Sequence, residues 1–256
     1  MTNSLHHAVT VDYYQTTAGR SHTATRDYYE TCANGLLRWL RDWLPADKNA
    51  RCLDLACGCG EMQYLLEREG YSNTTGVDLC QEELQQAGRF VKGELVNDDI
   101  LTFLQARPSS SVDFISALNI LEHLPKDQLQ EVLKEAQRVL HPGGTLVAIV
   151  PNAVSPFGSL TRHWDITHEW AFTTNNFRQL AALAEFDQDV QFREARPVAH
   201  GIISLIRSIL WQFLRLGIAL RFLIEVGTVK DGIYTMDMLV RLRAQGDERV
   251  SSMKSQ

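Results

Sequence analysis

The sequence predicts an α/β fold in which a parallel sheet carries helices on both faces. From about residue 50 onward, short apolar or β-branched segments of strand length alternate with stretches of helical periodicity. Parallel neighbours need crossover connections, which are usually helical, so this alternation favours a parallel sheet. A chain of 256 residues, 45% of them hydrophobic, is also long enough to bury a sizeable core.

The predicted elements follow in a regular order. A helix over Thr25–Leu44 comes first, and Pro45 ends it. Five strands are then predicted at Arg51–Ala56, Asn73–Leu79, Glu94–Asn97, Val112–Leu118 and Thr145–Val150, with helices between most of them at Glu61–Glu69, Gln81–Val91 and Lys126–Leu140. The C-terminal part reads as a helix at Thr174–Phe186, a strand at Asp189–Arg193, an apolar helix near 202–224 and a last strand at Ile233–Arg243.

This order predicts two parts of unequal size. Residues 1–45 form an N-terminal helical lid or cap, and residues 46–256 form the main domain, with a helical insertion at about 200–226 before the last strand. The final two strands, separated by that insertion, are expected to complete one edge of the sheet.

Composition limits the range of functions. The chain has 31 acidic and 25 basic residues and a net charge of −6, which argues against a nucleic-acid partner. Its five cysteines lack paired C-x-x-C spacing, so neither a disulfide framework nor a zinc knuckle is expected. The polar start of the chain does not resemble a signal peptide, and we therefore expect a cytoplasmic protein.

The first predicted strand ends in a glycine-containing turn between two acids. Gly58 and Gly60 let the backbone turn sharply into a helix and let a ligand approach main-chain N–H groups. Gln63 stands where a dinucleotide site would have its third glycine. Asp54 and Glu61 would repel a pyrophosphate but suit the sulfonium and ammonium groups of S-adenosylmethionine. The alternative is a tight turn that binds no ligand.

Acids also follow the next two strands. Asp78 lies 18 residues after Gly60, where it can accept hydrogen bonds from both ribose hydroxyls or cap the helix that begins near Gln81. After the third strand, Asp99 can accept from an adenine amino group while Ile100 packs on the ring. Asp98 is the alternative to Asp99.

These segments together resemble class I S-adenosylmethionine-dependent methyltransferases. The resemblance runs from about residue 50 to 152 and rests on D-x-A-C-G-C-G-E, G-V-D, N-D-D-I, N-I-L-E-H-L-P and R-V-L-H-P-G-G, in that order. It implies a Rossmann-like, seven-stranded, mostly parallel sheet whose last strand is antiparallel. It also implies a cofactor site for S-adenosylmethionine, with the methionine part at Asp54, Ala56, Gly58 and Gly60, the ribose at Asp78 and Leu79, the adenine at Asp99 and Ile100, and Asn119 beside the sulfonium.

The segment 162–173 is the predicted acceptor site. It is dense in histidine, acid and tryptophan, and its T-H-E followed by F-T is similar to bacterial methyltransferases that act on glycans, lipopolysaccharide precursors and antibiotic sugars. The substrate-binding candidates are Arg162, His163, Trp164, Asp165 and Glu169. Ordinary loop polarity is one alternative. A metal bound by His163, Asp165, His168 and Glu169 is another, and we predict none because these spacings do not converge in an extended loop.

Two histidines are candidates for catalysis. We predict His168 as general base, with Asp165 or Glu169 fixing its tautomer, and His123 as its competitor. The predicted reaction is methyl transfer to a hydroxyl oxygen of a small molecule or glycan. Transfer to the nitrogen of an amino sugar and a non-catalytic partner subunit that only binds S-adenosylmethionine remain alternatives.

Two further segments are assigned surface roles. Tyr14 and Arg20 are predicted to fold over the cofactor, the arginine pairing with its carboxylate; the alternative is a disordered terminus. The helix near 202–224 has a wide apolar face and a narrow polar stripe of Ser204, Ser208, Gln212, Arg215 and Ala219. This pattern predicts a lid or homodimer contact, or a membrane-surface contact that would place the protein at the inner membrane surface.

Overall fold

The computed structural model describes residues 25–229 and 231–246 and contains one seven-stranded sheet. The strand order is β3-β2-β1-β4-β5-β7-β6. The strands are β1 (Arg51–Leu55), β2 (Asn73–Asp78), β3 (Glu94–Asn97), β4 (Val112–Leu118), β5 (Leu140–Pro151), β6 (Gln191–Glu194) and β7 (Asp237–Arg243). The first five strands are parallel, and β7 is antiparallel to both β5 and β6. The predicted fold class is confirmed, including the pair of strands at the closing edge.

Eight α-helices are described in these residues. They are α1 (Arg26–Leu40), α2 (Glu61–Arg68), α3 (Gln81–Ala87), α4 (Ile100–Ala106), α5 (Lys126–Val139), α6 (Gly158–Arg162), α7 (Thr174–Leu183) and α8 (Ile202–Val226). Single 3-10 turns follow α1 at Arg41–Trp43 and follow β4 at Leu121–His123. The sequence analysis did not predict α4 and α6, which have 7 and 5 residues.

Alternate residues of the strands supply the cores on the two faces of the sheet. Leu53 and Leu55 of β1 belong to a cluster that includes residues of α4, α5 and α7, whereas Cys52 belongs to one with residues of α1 and α2. Leu40 and Trp43 lie in the second cluster, so the described end of the predicted N-terminal cap is packed into the fold.

The sheet has one edge at which a ligand can reach several strands. The chain leaves β1 toward β2 on one side, and β4 pairs with β1 on the other, so the strand order reverses there. In open α/β sheets, ligands bind outside the carboxyl ends of the strands at such a reversal. The segments that follow β1, β2, β4 and β5 therefore define the region to inspect.

Helix α8 faces the protein with part of its polar stripe, including Ser204 and Arg215, together with Trp211 and Phe222, and turns most of its apolar residues outward. Glu194, at the end of β6, accepts from Trp211 Nε1 (3.3 Å) and Arg215 Nε (3.2 Å), and Phe222 stacks on Tyr234. Ser204 is the buried residue of the helix. The exposed apolar side chains include Ile202, Ile203, Ile206, Leu210, Phe213, Leu214, Leu216, Leu220 and Ile224. Within the described residues, α8 alone is long and apolar enough to span a membrane by length and composition.

Candidate functional site

The turn after β1 has a backbone that only small residues adopt easily. Ala56, Gly58 and Gly60 all have positive φ, and Gly60 lies at the N-terminus of α2. A Cβ at Gly60 would lie 3.1 Å from Cβ of Ala87, so a larger residue would also collide with α3. The glycines are thus required by the turn, and at Gly60 also by the packing beside it.

Asp78 organises this turn directly. Its Oδ2 accepts from Gly58 N and its Oδ1 from Cys80 N, both at 2.8 Å. A carboxylate offers about four lone-pair positions, so both oxygens retain acceptor capacity for a ligand. The side chain does not cap α3, whose N-cap is Cys80 without a side-chain hydrogen bond. The ribose role of Asp78 and Leu79 stays a prediction.

Four carboxylates surround the same turn. Asp54 accepts from Ser116 Oγ (2.6 Å), Glu61 accepts from the Tyr28 hydroxyl (2.8 Å), and Oε2 of Glu83 lies 3.3 Å from where a Cβ on Gly58 would be. In the described part of the chain, neither these three acids nor Asp78 forms an ion pair with Lys or Arg. Burial, together with neighbouring acids, raises the pKa of Asp54 and of Glu83 to about 7. A cationic ligand would stabilise the charged forms.

The residues after β3 are held by local hydrogen bonds. Asp99 caps α4, its Oδ1 accepting from Leu101 N and Thr102 N, and Ile100 is buried in the core. Asn97 Nδ2 donates to the carbonyl oxygens of Asp78 and Leu79, which ties β3 to the end of β2. Sequence analysis missed both contacts, and the adenine role of Asp99 and Ile100 stays a prediction.

Helix α1 supplies contacts to the turn that sequence analysis missed. The Tyr29 hydroxyl donates to the Cys59 carbonyl, and its ring stacks on Phe90 at 4.4 Å between centroids. The signal in the sequence was the pair of adjacent tyrosines near the start of this helix, the first of which donates to Glu61. Tyr14 and Arg20, the predicted lid residues, lie outside the described residues.

At the end of β4, the turn that contains Glu122 and His123 meets the predicted acceptor segment. Asn119 has a φ of 54°, a strained value for a non-glycine residue at the carboxyl end of a strand. Backbone N–H groups of Glu169 and Trp170 donate to the Glu122 carbonyl. The rings of His123 and His168 lie 4.6 Å apart and nearly perpendicular. Both predicted catalytic histidines therefore share one site.

The partners of the two imidazoles fix their tautomers. Nδ1 of His168 lies 2.8 Å from the Thr161 carbonyl, which can only accept. Nδ1 of His123 lies 2.6 Å from Thr167 Oγ1, and that hydroxyl donates to Asp165 Oδ1 (2.7 Å), so it accepts from the ring. Each ring thus carries its proton on Nδ1 and its lone pair on Nε2. The Thr161 carbonyl fixes His168, whereas the sequence had suggested Asp165 or Glu169.

The other predicted substrate residues differ in their exposure to solvent. His163, Trp164 and Glu169 are exposed, Trp164 to 74%, and Asp165 is buried. Arg162 donates to the His168 carbonyl oxygen. The segment is not the extended loop that was expected, because α6 and a turn that Asp165 closes on Thr167 bring His168 back to Thr161. Their substrate roles stay predictions.

Glu122 is the most unusual group of this region. It is 1% exposed, and among the described residues its Oε2 has no hydrogen-bond donor. Burial, with a contribution from Asp237, raises the pKa of Glu122 to about 8. Sequence analysis singled out His123 in the L-E-H-L-P segment but missed this neighbouring side chain.

Comparison with known proteins gives a consistent result for the first part of the chain. Residues 53–148 match a family described as a methyltransferase domain. The S-adenosyl-L-methionine-dependent Diels-Alderase iccD of Talaromyces variabilis is 31% identical over 43% of this chain, and the match spans only 39% of that relative. A demethylmenaquinone methyltransferase of Listeria welshimeri is 26% identical over 64% of this chain and 80% of its own. A crystal structure of a SAM-dependent methyltransferase from Archaeoglobus fulgidus superimposes with a TM-score of 0.61, at 18% identity, over 82% of this chain and 94% of that one.

Because carboxylates surround the turn, we predict that the affinity for the cofactor depends on pH. Below pH 7 Asp54 and Glu83 are largely protonated, and above it they are charged, so the affinity for cationic S-adenosylmethionine should rise several-fold from pH 6 to pH 7.5. Binding should release protons, which calorimetry in buffers of different ionisation enthalpy measures. In Glu83→Gln the release should be smaller. An affinity that is flat with pH, without proton release, would contradict this electrostatic description.

Proposed function

Starting from a methyltransferase domain at residues 53–148 whose cofactor is S-adenosylmethionine, we propose that the protein transfers a methyl group to a hydroxyl oxygen of a small molecule or glycan. The observation that carries the proposal is the pair His123 and His168, each with its lone pair on Nε2, at the carboxyl edge of the sheet. A sugar hydroxyl gains from a base near neutral pH, whereas an amine only needs to arrive deprotonated.

Different residues of the chain have different roles in such a reaction. When bound, S-adenosylmethionine supplies a methyl group on a cationic sulfur, and the carboxylates at the β1 and β2 ends offset that charge. The residues after β4 and β5 hold the acceptor in line with the methyl carbon, which accounts for much of the rate. Nε2 of His168 takes the hydroxyl proton, and the Thr161 carbonyl holds the ring in the required tautomer. Asp237 is close enough to interact electrostatically with His168.

Exposed side chains support a glycan as acceptor. Trp164 and Ile166 are 74% and 80% exposed in the same segment of the chain as His168. An exposed indole offers an apolar face for the C–H face of a sugar ring together with a polar N–H. A paired assay tests the acceptor class: a saccharide and its amino analogue are offered at pH 7.5, and S-adenosylhomocysteine is measured. We expect turnover with the hydroxyl; turnover with the amine alone would favour the N-methyltransferase alternative.

We further propose that α8 lies in the surface of a membrane and carries the site toward a lipid-linked saccharide. Its apolar residues cover about half of the helix circumference at 100° per residue, a wider arc than a single partner helix covers. Arg207 and Arg221 lie along one border of this arc, where they can reach anionic headgroups. The protein would then be peripheral at the inner membrane surface.

The anchoring of α8 places this surface near the site. Glu194, which binds Trp211 and Arg215, is the last residue of β6 and pairs with Met238 near the start of β7. β7 starts at Asp237, opposite Pro151 at the end of β5, so α8 is attached at the carboxyl edge. Docking of α8 would therefore bring the acceptor segment to the lipid surface.

Vesicle flotation tests the membrane proposal. With vesicles that contain anionic phospholipid, the wild type should float, and Leu210→Glu with Phe213→Glu should lower the bound fraction at least tenfold, because two apolar side chains leave the lipid and two negative charges enter. Leu183→Glu, an exposed leucine on α7, is the matched control and should float normally. If the wild type forms a dimer and does not bind vesicles, and if this dimer dissociates in the double variant, then a second copy of the chain covers α8.

A further inference from the structure

We propose that Glu122, His123 and His168 bind one divalent transition-metal ion of the Zn²⁺ class. One ring nitrogen of each histidine and one oxygen of Glu122 lie within 4.8 Å of one another. Two imidazoles and a carboxylate are the three protein ligands of many catalytic zinc sites, which keep a further position open. The donor set differs from the one weighed in the sequence, since only His168 is common to both.

The Nδ1 atoms of both imidazoles make the kind of hydrogen bond that is typical of metal-binding histidines. A ligating ring donates its other N–H to a backbone carbonyl or to a group linked to a carboxylate, which fixes its orientation and raises its basicity. Here Nδ1 of His168 donates to the Thr161 carbonyl. Nδ1 of His123 donates to Thr167, which in turn donates to Asp165. Both Nε2 atoms thus carry the lone pairs that an ion needs.

Glu122 provides an independent observation. Its side chain is 1% exposed, and within the described residues its Oε2 receives no hydrogen bond. A buried carboxylate oxygen that receives no hydrogen bond is costly, and the nearby acids Asp165 and Asp237 add negative charge to the same region. A divalent cation would offset all of these charges at once.

The three candidate ligand atoms need to move only slightly closer together to bind one ion. With metal–ligand bonds of about 2.0–2.2 Å, tetrahedral ligand atoms lie about 3.4 Å apart. The three atoms are within 4.8 Å, so side-chain rotation by about an ångström completes the site. This consequence rests on the proposed function but replaces its base: both imidazoles would hold the ion through Nε2, and the ion would bind the acceptor oxygen and acidify its hydroxyl, whose proton would pass to solvent water.

Cobalt titration tests the binding separately from catalysis. Full-length protein stripped with chelator is titrated with Co²⁺ and the visible ligand-field bands are recorded, then Zn²⁺ is added in competition. We expect one ion per chain at this site and a 10- to 100-fold loss of affinity in His123→Ala, His168→Ala and the isosteric Glu122→Gln. His163→Ala, an exposed histidine of the same segment, is the matched control and should bind like the wild type.

The outcomes separate this proposal from the proposed function. S-adenosylmethionine affinity of each variant, measured on the same preparations, shows whether the domain is folded. Loss of the cobalt bands in the three variants but not in His163→Ala supports the site, even if no acceptor is turned over. Wild-type protein without such bands, or bands that survive in all three variants, overturns it, and His168 then retains its role as base.

Discussion

Replacing His168 with alanine is expected to lower turnover by about 100-fold or more while the affinity for S-adenosylmethionine stays nearly unchanged. The ring lies at the acceptor side of the carboxyl edge, and its Nδ1 is held by the Thr161 carbonyl, so Nε2 is presented in one orientation. Without the His168 ring, no base takes the proton of the acceptor hydroxyl. If the site holds a metal ion, that ion also loses one of its ligands. Steady-state kinetics and calorimetry on the same variant measure the two quantities.

Two other histidines make this prediction selective. His141→Ala should have normal turnover, since that exposed residue lies at the start of β5, at the opposite edge of the sheet. His123→Ala should have a smaller effect than His168→Ala if His168 is the base. Near-normal turnover in His168→Ala together with an inactive His123→Ala would reverse the two roles.

Replacing Asp78 with alanine is expected to weaken S-adenosylmethionine binding by roughly 10- to 150-fold. Hydrogen bonds to a charged group contribute about 1.5–3 kcal/mol, and ribose hydroxyls would lose theirs. The variant also loses the acceptor for Gly58 N and Cys80 N, so the turn that approaches the ligand becomes less ordered. Asp189→Ala, at an exposed position just before β6, is the control. Calorimetry that finds equal affinities for Asp78→Ala and wild type would remove Asp78 from the cofactor site.

Local sequence predicted the cofactor side of the molecule well. Strand ends, the glycines of the first turn and the acids at residues 54 and 78 are close in the chain to the elements that position them. The hydrophobic period and the spacing of these residues were therefore enough to predict the strands and the cofactor turn. The sheet with its antiparallel last strand was predicted from the family resemblance that the same residues support.

The acceptor side depends on contacts that no local pattern contains. His123 meets Thr167 across 44 residues, and the isolation of Glu122 Oε2 results from the packing of two segments around it. Asp165 appeared as a partner for His168 because it is near in sequence, but the turn directs its carboxylate to Thr167. Similarly, the polar stripe of α8 was visible in the sequence, yet only the contact between Arg215 and Glu194 shows which part of this stripe faces the protein.

The most direct test of methyl transfer to oxygen is to follow a labelled methyl group. Protein is incubated with S-adenosylmethionine bearing a ¹³C methyl and with lipid-linked saccharides extracted from source cells, and the product is examined by NMR. We predict a new methoxy carbon signal on a sugar, one S-adenosylhomocysteine per methyl transferred, and neither product with Asp78→Ala at a cofactor concentration that saturates only the wild type. Label on nitrogen or carbon, or tight cofactor binding with no transfer to any extracted acceptor, would contradict the proposed function.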